Sequence, residues 1–191
     1  MTDAMVDLSF DLGGGVLPPD YRLALWNALL QFAPNLAGDE RIGLLPLRTA
    51  EGEEGLLLSK RAKMVVRLPS VLCEHAAALC DQRLEIQQGW LQLGGCKVRS
   101  IEPYPTLHAP VVASDEDEVA FMTMVREQLA QMKIEANLIC GMRSAQPSGY
   151  SLVVHDLKPE ASVRLQVQGL GGRRGLGCGV FVHYKLISGL E

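Results

Sequence analysis

Aromatic residues are scarce in this 191-residue sequence, at 5%. A broad base-stacking sheet of the kind that reads single-stranded RNA needs several such rings on one face, so any RNA recognition here has to rest on other contacts. A basic excess is missing too: Lys and Arg number 18 against 22 Asp and Glu, a formal charge of −4. Phosphate binding would therefore depend on how charge is distributed, because a local field acts over about 8 Å at physiological salt. The five cysteines, Cys73, Cys80, Cys96, Cys140 and Cys178, form no C-x-x-C pair and have no histidine at zinc-ligand spacing. No metal site and no cofactor are expected, and the thiols read as small core residues. No apolar run reaches the length of a membrane span, and no basic, apolar, small-residue leader opens the sequence. Together these predict a cytoplasmic protein with no membrane partner.

What is present is material for a packed fold. The sequence is 48% hydrophobic and 21% charged, outside the composition of disordered chains, and its length suits one domain or two small ones. Residues 6–12 read V-D-L-S-F-D-L, placing Val6, Leu8, Phe10 and Leu12 on one face of a half-buried strand. Pro18, Pro19 and Asp20 lead into apolar positions Leu23, Trp26, Leu29 and Leu30 at helical spacing, ended by Pro34. Extended runs follow at 42–47 and 56–58, the latter continuing towards 64–68 as a strand pair or long hairpin. Ser70 is placed to cap a helix through Leu79, and 84–86 and 90–98 read as strands.

The order βαββαβ then repeats. Residues 106–112 are extended, and Ser114 with Asp117 opens a helix carrying Val119, Met122, Val125, Leu129 and Met132. Residues 138–143 and 150–155 form the next strands, Pro159 begins a helix that Gly169 can end, and 180–186 is a final strand. The fold class is α+β, as two tandem ferredoxin-like domains, residues 1–101 and 102–191, joined near 101–105. That architecture hosts metal-binding, small-molecule-sensing and RNA-binding proteins, so function has to come from a site.

The segment with a site's chemistry is G-L-G-G-R-R-G-L-G-C-G, residues 169–179, with spacing G-h-G-x5-G-h-G where h is apolar. Glycines let backbone amides approach phosphate oxygens, while Arg173 and Arg174 supply charge. It precedes a strand instead of opening a helix after one, which excludes a dinucleotide fingerprint. With the opening V-D-L-S-F, the D-E-R-I-G after the first helix and the closing G-C-G-V-F-V, it resembles the CRISPR repeat-processing endoribonuclease family of the RAMP superfamily, particularly its compact bacterial members. The likeness spans most of the chain.

The resemblance implies an RNA stem-loop partner, the CRISPR repeat, and association with other subunits of an effector complex. It implies backbone contacts from Gly169, Gly171, Gly172, Gly175, Gly177 and Gly179 with Arg173 and Arg174. Lys60, Arg61, Lys63 and Arg67 would grip hairpin phosphates, and Arg143, Ser144 and Ser148 would border the scissile phosphate. The implied reaction uses no metal: the ribose 2′-hydroxyl attacks the adjacent phosphate and leaves a 2′,3′-cyclic phosphate. Family members commonly carry a histidine in or just after the first helix, yet none occurs here before His75, and Leu29, Leu30 and Leu45 occupy that neighbourhood. Of the four histidines, His75, His155 and His183 read as structural. His108 is the leading acid or base, with Tyr21 and Ser148 as further catalytic candidates. Two rivals stay open: a subunit of the same family that binds repeat RNA without cutting it, and a small-molecule or protein-interaction module on paired ferredoxin-like domains.

Overall fold

In a computed structural model of the chain, which describes residues 3–184, the alternating opening segment is strand β1 (Met5–Gly14). Leu8 and Phe10 turn into a core while Asp7, Ser9 and Asp11 stand on the other face, as a period of two requires. The described residues divide into two compact units, one of 3–101 together with Arg173–Gly177, the other of Glu102–Gly172 together with 178–184. Among the described residues no helix is long and apolar enough to cross a membrane.

In the first unit, helix α1 (Tyr21–Phe32) buries Tyr21, Leu25, Ala28 and Leu29 along one stripe. It ends where Ala33 N–H bonds back to Leu29 O and Pro34, which has no N–H to continue the ladder, starts a 3-10 turn. Strands β2 (Gly43–Leu44), β5 (Lys63–Pro69), β1, β7 (Gly89–Ser100) and β6 (Arg83–Ile86) follow one another across an antiparallel sheet. Beside it, β3 (Thr49–Gly52) and β4 (Gly55–Leu58) form a separate two-stranded ribbon turning through Glu53 and Glu54.

Two expectations are corrected here. Residues 56–58 do not run on into 64–68: β4 pairs back on β3, and a turn closed by Ala62 N–H to Ser59 O separates it from β5. The helix through 70–79 is broken into a 3-10 turn (Ser70–Leu72), one α-helical turn, α2 (Cys73–Ala76), and a second 3-10 turn (Ala77–Leu79). Its buried positions are Ala76 and Leu79, three apart, which is the 3-10 repeat. Ser70 gives no side-chain cap; it lies inside the first 3-10 turn, and its backbone N–H bonds to Ala4 O and extends the β1–β5 pairing.

In the second unit, the sheet runs β11 (Val182–His183), β8 (Leu107–Ala113), β10 (Ser148–His155), β9 (Asn137–Ala145), all antiparallel neighbours. Helix α3 (Glu118–Gln131) is capped by Asp117, whose Oδ1 accepts Ala120 N–H at 2.9 Å. Ser114 is a step further out, accepting Glu116 N–H at 3.2 Å. Helix α4 (Pro159–Gln168) starts at the proline and ends at Gly169, whose positive φ of 63° and N–H to Leu165 O close the last turn. The final strand begins at Val182, not at 180: Val180 and Phe181 are buried before β11, and positions from 185 on lie outside the described residues.

Each unit has its own core, around Phe10, Leu25, Leu29 and Met64 in the first and Phe121, Val125, Leu152 and Leu165 in the second. Phe10 is fully buried, so Phe10→Ala should cost about 3–5 kcal/mol of stability, read as a lower urea midpoint.

Candidate nucleic-acid interface

The glycine-rich segment is parcelled out by burial. Gly169 is the buried cap of α4. Gly171, Gly172 and Arg173 are exposed, and all three have positive φ, 76°, 74° and 54°. Gly171 N–H donates to Gln128 Oε1 at 3.1 Å, and a Cβ on Gly172 would meet open space. Its positive φ, not crowding, is what asks for glycine there. These three residues form a lip with backbone and one cation turned to solvent.

The rest of the segment is turned to the protein. Arg174 is only 4% exposed and begins a 3-10 turn, Arg174–Leu176. Burial, and then the nearby Arg67 cation, push its pKa down to about 10, while the carboxylates of Asp7 and Asp39 oppose that shift. It stays a cation at neutral pH. Gly175 lies against the Trp26 ring, where a Cβ would come within 2.7 Å of Cε2. Gly177 is buried at φ 79°, and a Cβ on buried Gly179 would fall 1.8 Å from Leu170 O. Gly169, Arg174, Gly177 and Gly179 are thus buried and Gly175 half-buried, at positions of capping, packing and close backbone passage.

The first unit's basic cluster divides the same way. Lys60, Arg61 and Lys63 are exposed, Lys63 paired with Asp11, whose carboxyl it holds below the usual range. Arg67 is 2% exposed, and its Nε and Nη2 donate to Asp7 Oδ1 and Oδ2 at 2.7 and 2.9 Å. This two-pronged pair spans directly opposed positions of β5 and β1, so the Arg67 guanidinium is engaged inside the first unit. Across β1 on the same face, Lys97 opposes Ser9 and Arg99 opposes Asp7, both exposed. The K-x-R alternation of residues 97–99, with its period of two, is the signal in the sequence that places both on this face. The D-E-R-I-G segment is also explained: Arg41 donates Nε and Nη2 to Asp39, at 3.0 and 2.6 Å, and its backbone N–H to Oδ1.

Among the catalytic candidates, Tyr21 is buried at 6% exposure, and its hydroxyl oxygen accepts Leu47 N–H at 3.3 Å. His108 lies in β8, half-buried, opposite Val153 and Val182, with its ring 5.5 Å from that of Tyr184. Burial lowers its pKa from the ordinary 6.5. Ser148 Oγ donates to Ser114 O at 2.9 Å, Ser144 pairs with Gly149, and exposed Arg143 stands 5.6 Å from the Tyr150 ring. His183 stacks on Tyr104 at 4.0 Å, and His75 Nδ1 is 2.9 Å from Asn35 Nδ2.

Comparison with known proteins gives a consistent result. The Cas6 CRISPR family model matches residues 6–186. A CRISPR-associated endonuclease Cas6 of Myxococcus xanthus (strain DK1622) is 34% identical over 185 residues, which are 93% of this chain and 80% of that protein. A solved CRISPR-associated protein Cas6 superposes with a TM-score of 0.65 at 11% identity, over 95% of this chain and 100% of that one. A Cas6-related protein from Pyrococcus furiosus gives 0.61 at 12% identity, over 94% and 98%.

The Asp39–Arg41 clamp carries a pH signature. Hydrogen bonding from Arg41 lowers the Asp39 pKa below 3.8, so its stabilisation is complete above 3.8 and lost as pH falls through the folded-state value. Wild type should exceed Arg41→Ala in urea stability at neutral pH, and the gap should shrink as the pH is taken below 3.8.

Proposed function

Because the chain belongs to the Cas6 CRISPR family, we propose that it binds the repeat hairpin of a precursor CRISPR RNA in the cytoplasm and cuts it once without a metal. The observation that carries this reading is the exposed lip of 171–173 at the segment matching the family's glycine-rich motif. Its backbone and the Arg173 guanidinium receive phosphate oxygens, with Lys60, Arg61, Lys63, Lys97, Arg99 and Arg143 as further exposed cations for the RNA backbone. Both units are read as ferredoxin-like: strand orders β2-β5-β1-β7 and β11-β8-β10-β9 each set the unit's first strand between its third and its last, the order of a split βαβ repeat.

In the reaction, the 2′-oxygen forms a bond to phosphorus, the bond to the 5′-oxygen breaks, and a 2′,3′-cyclic phosphate and a 5′-hydroxyl result. One proton leaves the 2′-hydroxyl and one reaches the departing 5′-oxygen. His108 takes the first of these as general base, supported by its lowered pKa, which keeps the imidazole neutral at pH 7. Ser144 and Ser148 line the approach to the scissile phosphate. The cut hairpin stays bound and is passed on within an effector complex.

One observation favours the second reading, binding without cleavage: the hydroxyl of Tyr21 is occupied in the core, and no histidine stands in α1 or directly after it.

Purified protein with repeat RNA in EDTA should give one product bearing a cyclic phosphate, and a single 2′-deoxy substitution upstream of the cut should abolish it. His108→Ala should slow cleavage by about 10²–10⁴ while leaving repeat affinity in place. Since the neutral imidazole is the active form, the wild-type rate should rise with pH through a midpoint below 6.5. Tight binding with no product would select the second reading, and no salt-dependent binding would overturn both.

A further inference from the structure

Helix α1 presents a second stripe beside its core face. Arg22 and Trp26, four residues apart and so stacked on one side, are both half-buried. The turn following Arg173 occupies this stripe. Arg22 Nη1 donates to Leu176 O at 2.9 Å. The Trp26 ring lies under Gly175, with three of its atoms 2.7 to 3.0 Å from where a Cβ would stand. A Cβ on Gly177 would come 2.8 Å from Arg22 Nη1 and 3.1 Å from Leu44 O. Within the turn, Leu176 N–H bonds to Arg173 O and Gly177 N–H to Arg174 O.

We propose that Arg22 and Trp26 are positioning residues for the glycine-rich segment, fixing the 174–177 turn so that Arg173, the cation of the lip, is held ready for RNA phosphates, while touching no RNA themselves. Three features point the same way. The Arg22 hydrogen bond goes to a carbonyl at the end of a 3-10 turn, where an acceptor lacks an internal partner. The missing Cβ at Gly175 permits contact with a rigid indole that holds the peptide at a fixed height. Arg173 itself sits at φ 54° and ψ 37°, a left-handed conformation that a non-glycine residue keeps only when its neighbours are held. This inference rests on the reading that the lip meets RNA, and it adds which residues set the lip's geometry.

The test separates the two. Arg22→Met keeps the stem and loses the donor, Trp26→Leu keeps an apolar residue and loses the ring, and Arg173→Ala probes the lip directly. Hydrogen exchange on the full chain without RNA should show faster exchange at 174–177 in the first two variants, with the β1–β5 ladder unchanged. Repeat RNA should bind about fivefold more weakly to both, through lost preorganisation. The slope of log affinity against log salt should stay at the wild-type value in both, whereas Arg173→Ala should reduce it by about 0.9. A reduced slope for Arg22→Met would make Arg22 a phosphate ligand and overturn the positioning role. Unchanged exchange or unchanged affinity in both α1 variants would overturn it as well. If Arg173→Ala alters neither affinity nor slope, the lip does not meet RNA and the underlying reading fails, even where exchange shows that α1 fastens the turn.

Discussion

The first unit depends on how it keeps two guanidiniums inside. A buried cation without a compensating charge is costly by several kcal/mol, and arginine cannot escape by giving up its proton at neutral pH. Asp7 answers Arg67 with both carboxylate oxygens across opposed positions of β1 and β5. Arg174, repelled by Arg67, is favoured by the same Asp7 and by Asp39. Asp39 is in turn held by Arg41 through three hydrogen bonds at 3.0 Å or less. The charges therefore form a chain of alternating sign in which β1, β5, the segment after α1 and the turn after Arg173 each supply a member. Such a network specifies one arrangement more than it adds stability, because a shift in any member would strand a charge.

That constraint gives the glycine spacing a second meaning. If Arg174 must point inward, the backbone has to turn sharply on either side of it. Positive φ values at 171, 172 and 173 before it and at 177 and 179 after it accomplish the turn. Gly169 ends a helix, Gly175 fits under an indole, and Gly179 passes close to Leu170 O. Among the segment's described glycines, Gly171 and Gly172 combine positive φ with exposure, as does Arg173 beside them. A motif that reads as a uniform loop is thus mostly turned to the protein, with three of its residues exposed.

Elements governed by local periodicity were legible in the sequence. The alternation of residues 6–12, the Asp117 and Pro159 starts and the Gly169 stop reappear as β1, α3 and α4, since each is decided by neighbours a few positions away. The β3–β4 ribbon was not separable from β5, because short apolar runs do not reveal which run they pair with. The 70–79 segment looked helical because Ser70 resembles a cap, yet its N–H is claimed by Ala4, a partner distant in sequence. The glycine-rich segment was legible as a turn but not in its orientation. Arg173 and Arg174 are identical and adjacent, and which one faces water is decided by Asp7, Asp39 and Arg67, more than a hundred positions upstream. The surroundings of Tyr21 were not legible for a related reason: the N–H that its hydroxyl oxygen accepts belongs to Leu47, in a loop with no periodic signal.

Sorting the charges this way also makes a net charge of −4 compatible with holding a polyanion. The acidic groups have other occupations. Asp7 and Asp39 answer buried or clamped arginines, and Asp117 caps α3 with Glu118 in its first turn, where the helix dipole favours negative charge. Glu53 and Glu54 form the tip of the β3–β4 ribbon. On the β1 face, Lys63, Lys97 and Arg99 lie in cross-strand register with Asp11, Ser9 and Asp7, of which Asp7 is already committed to Arg67 and Asp11 to Lys63. Lys97 and Arg99 are therefore the cations on that face whose opposite neighbours cancel them least. Within a Debye length, the sign of the surface is set by such local surpluses, and the sum over the whole chain has little bearing on it.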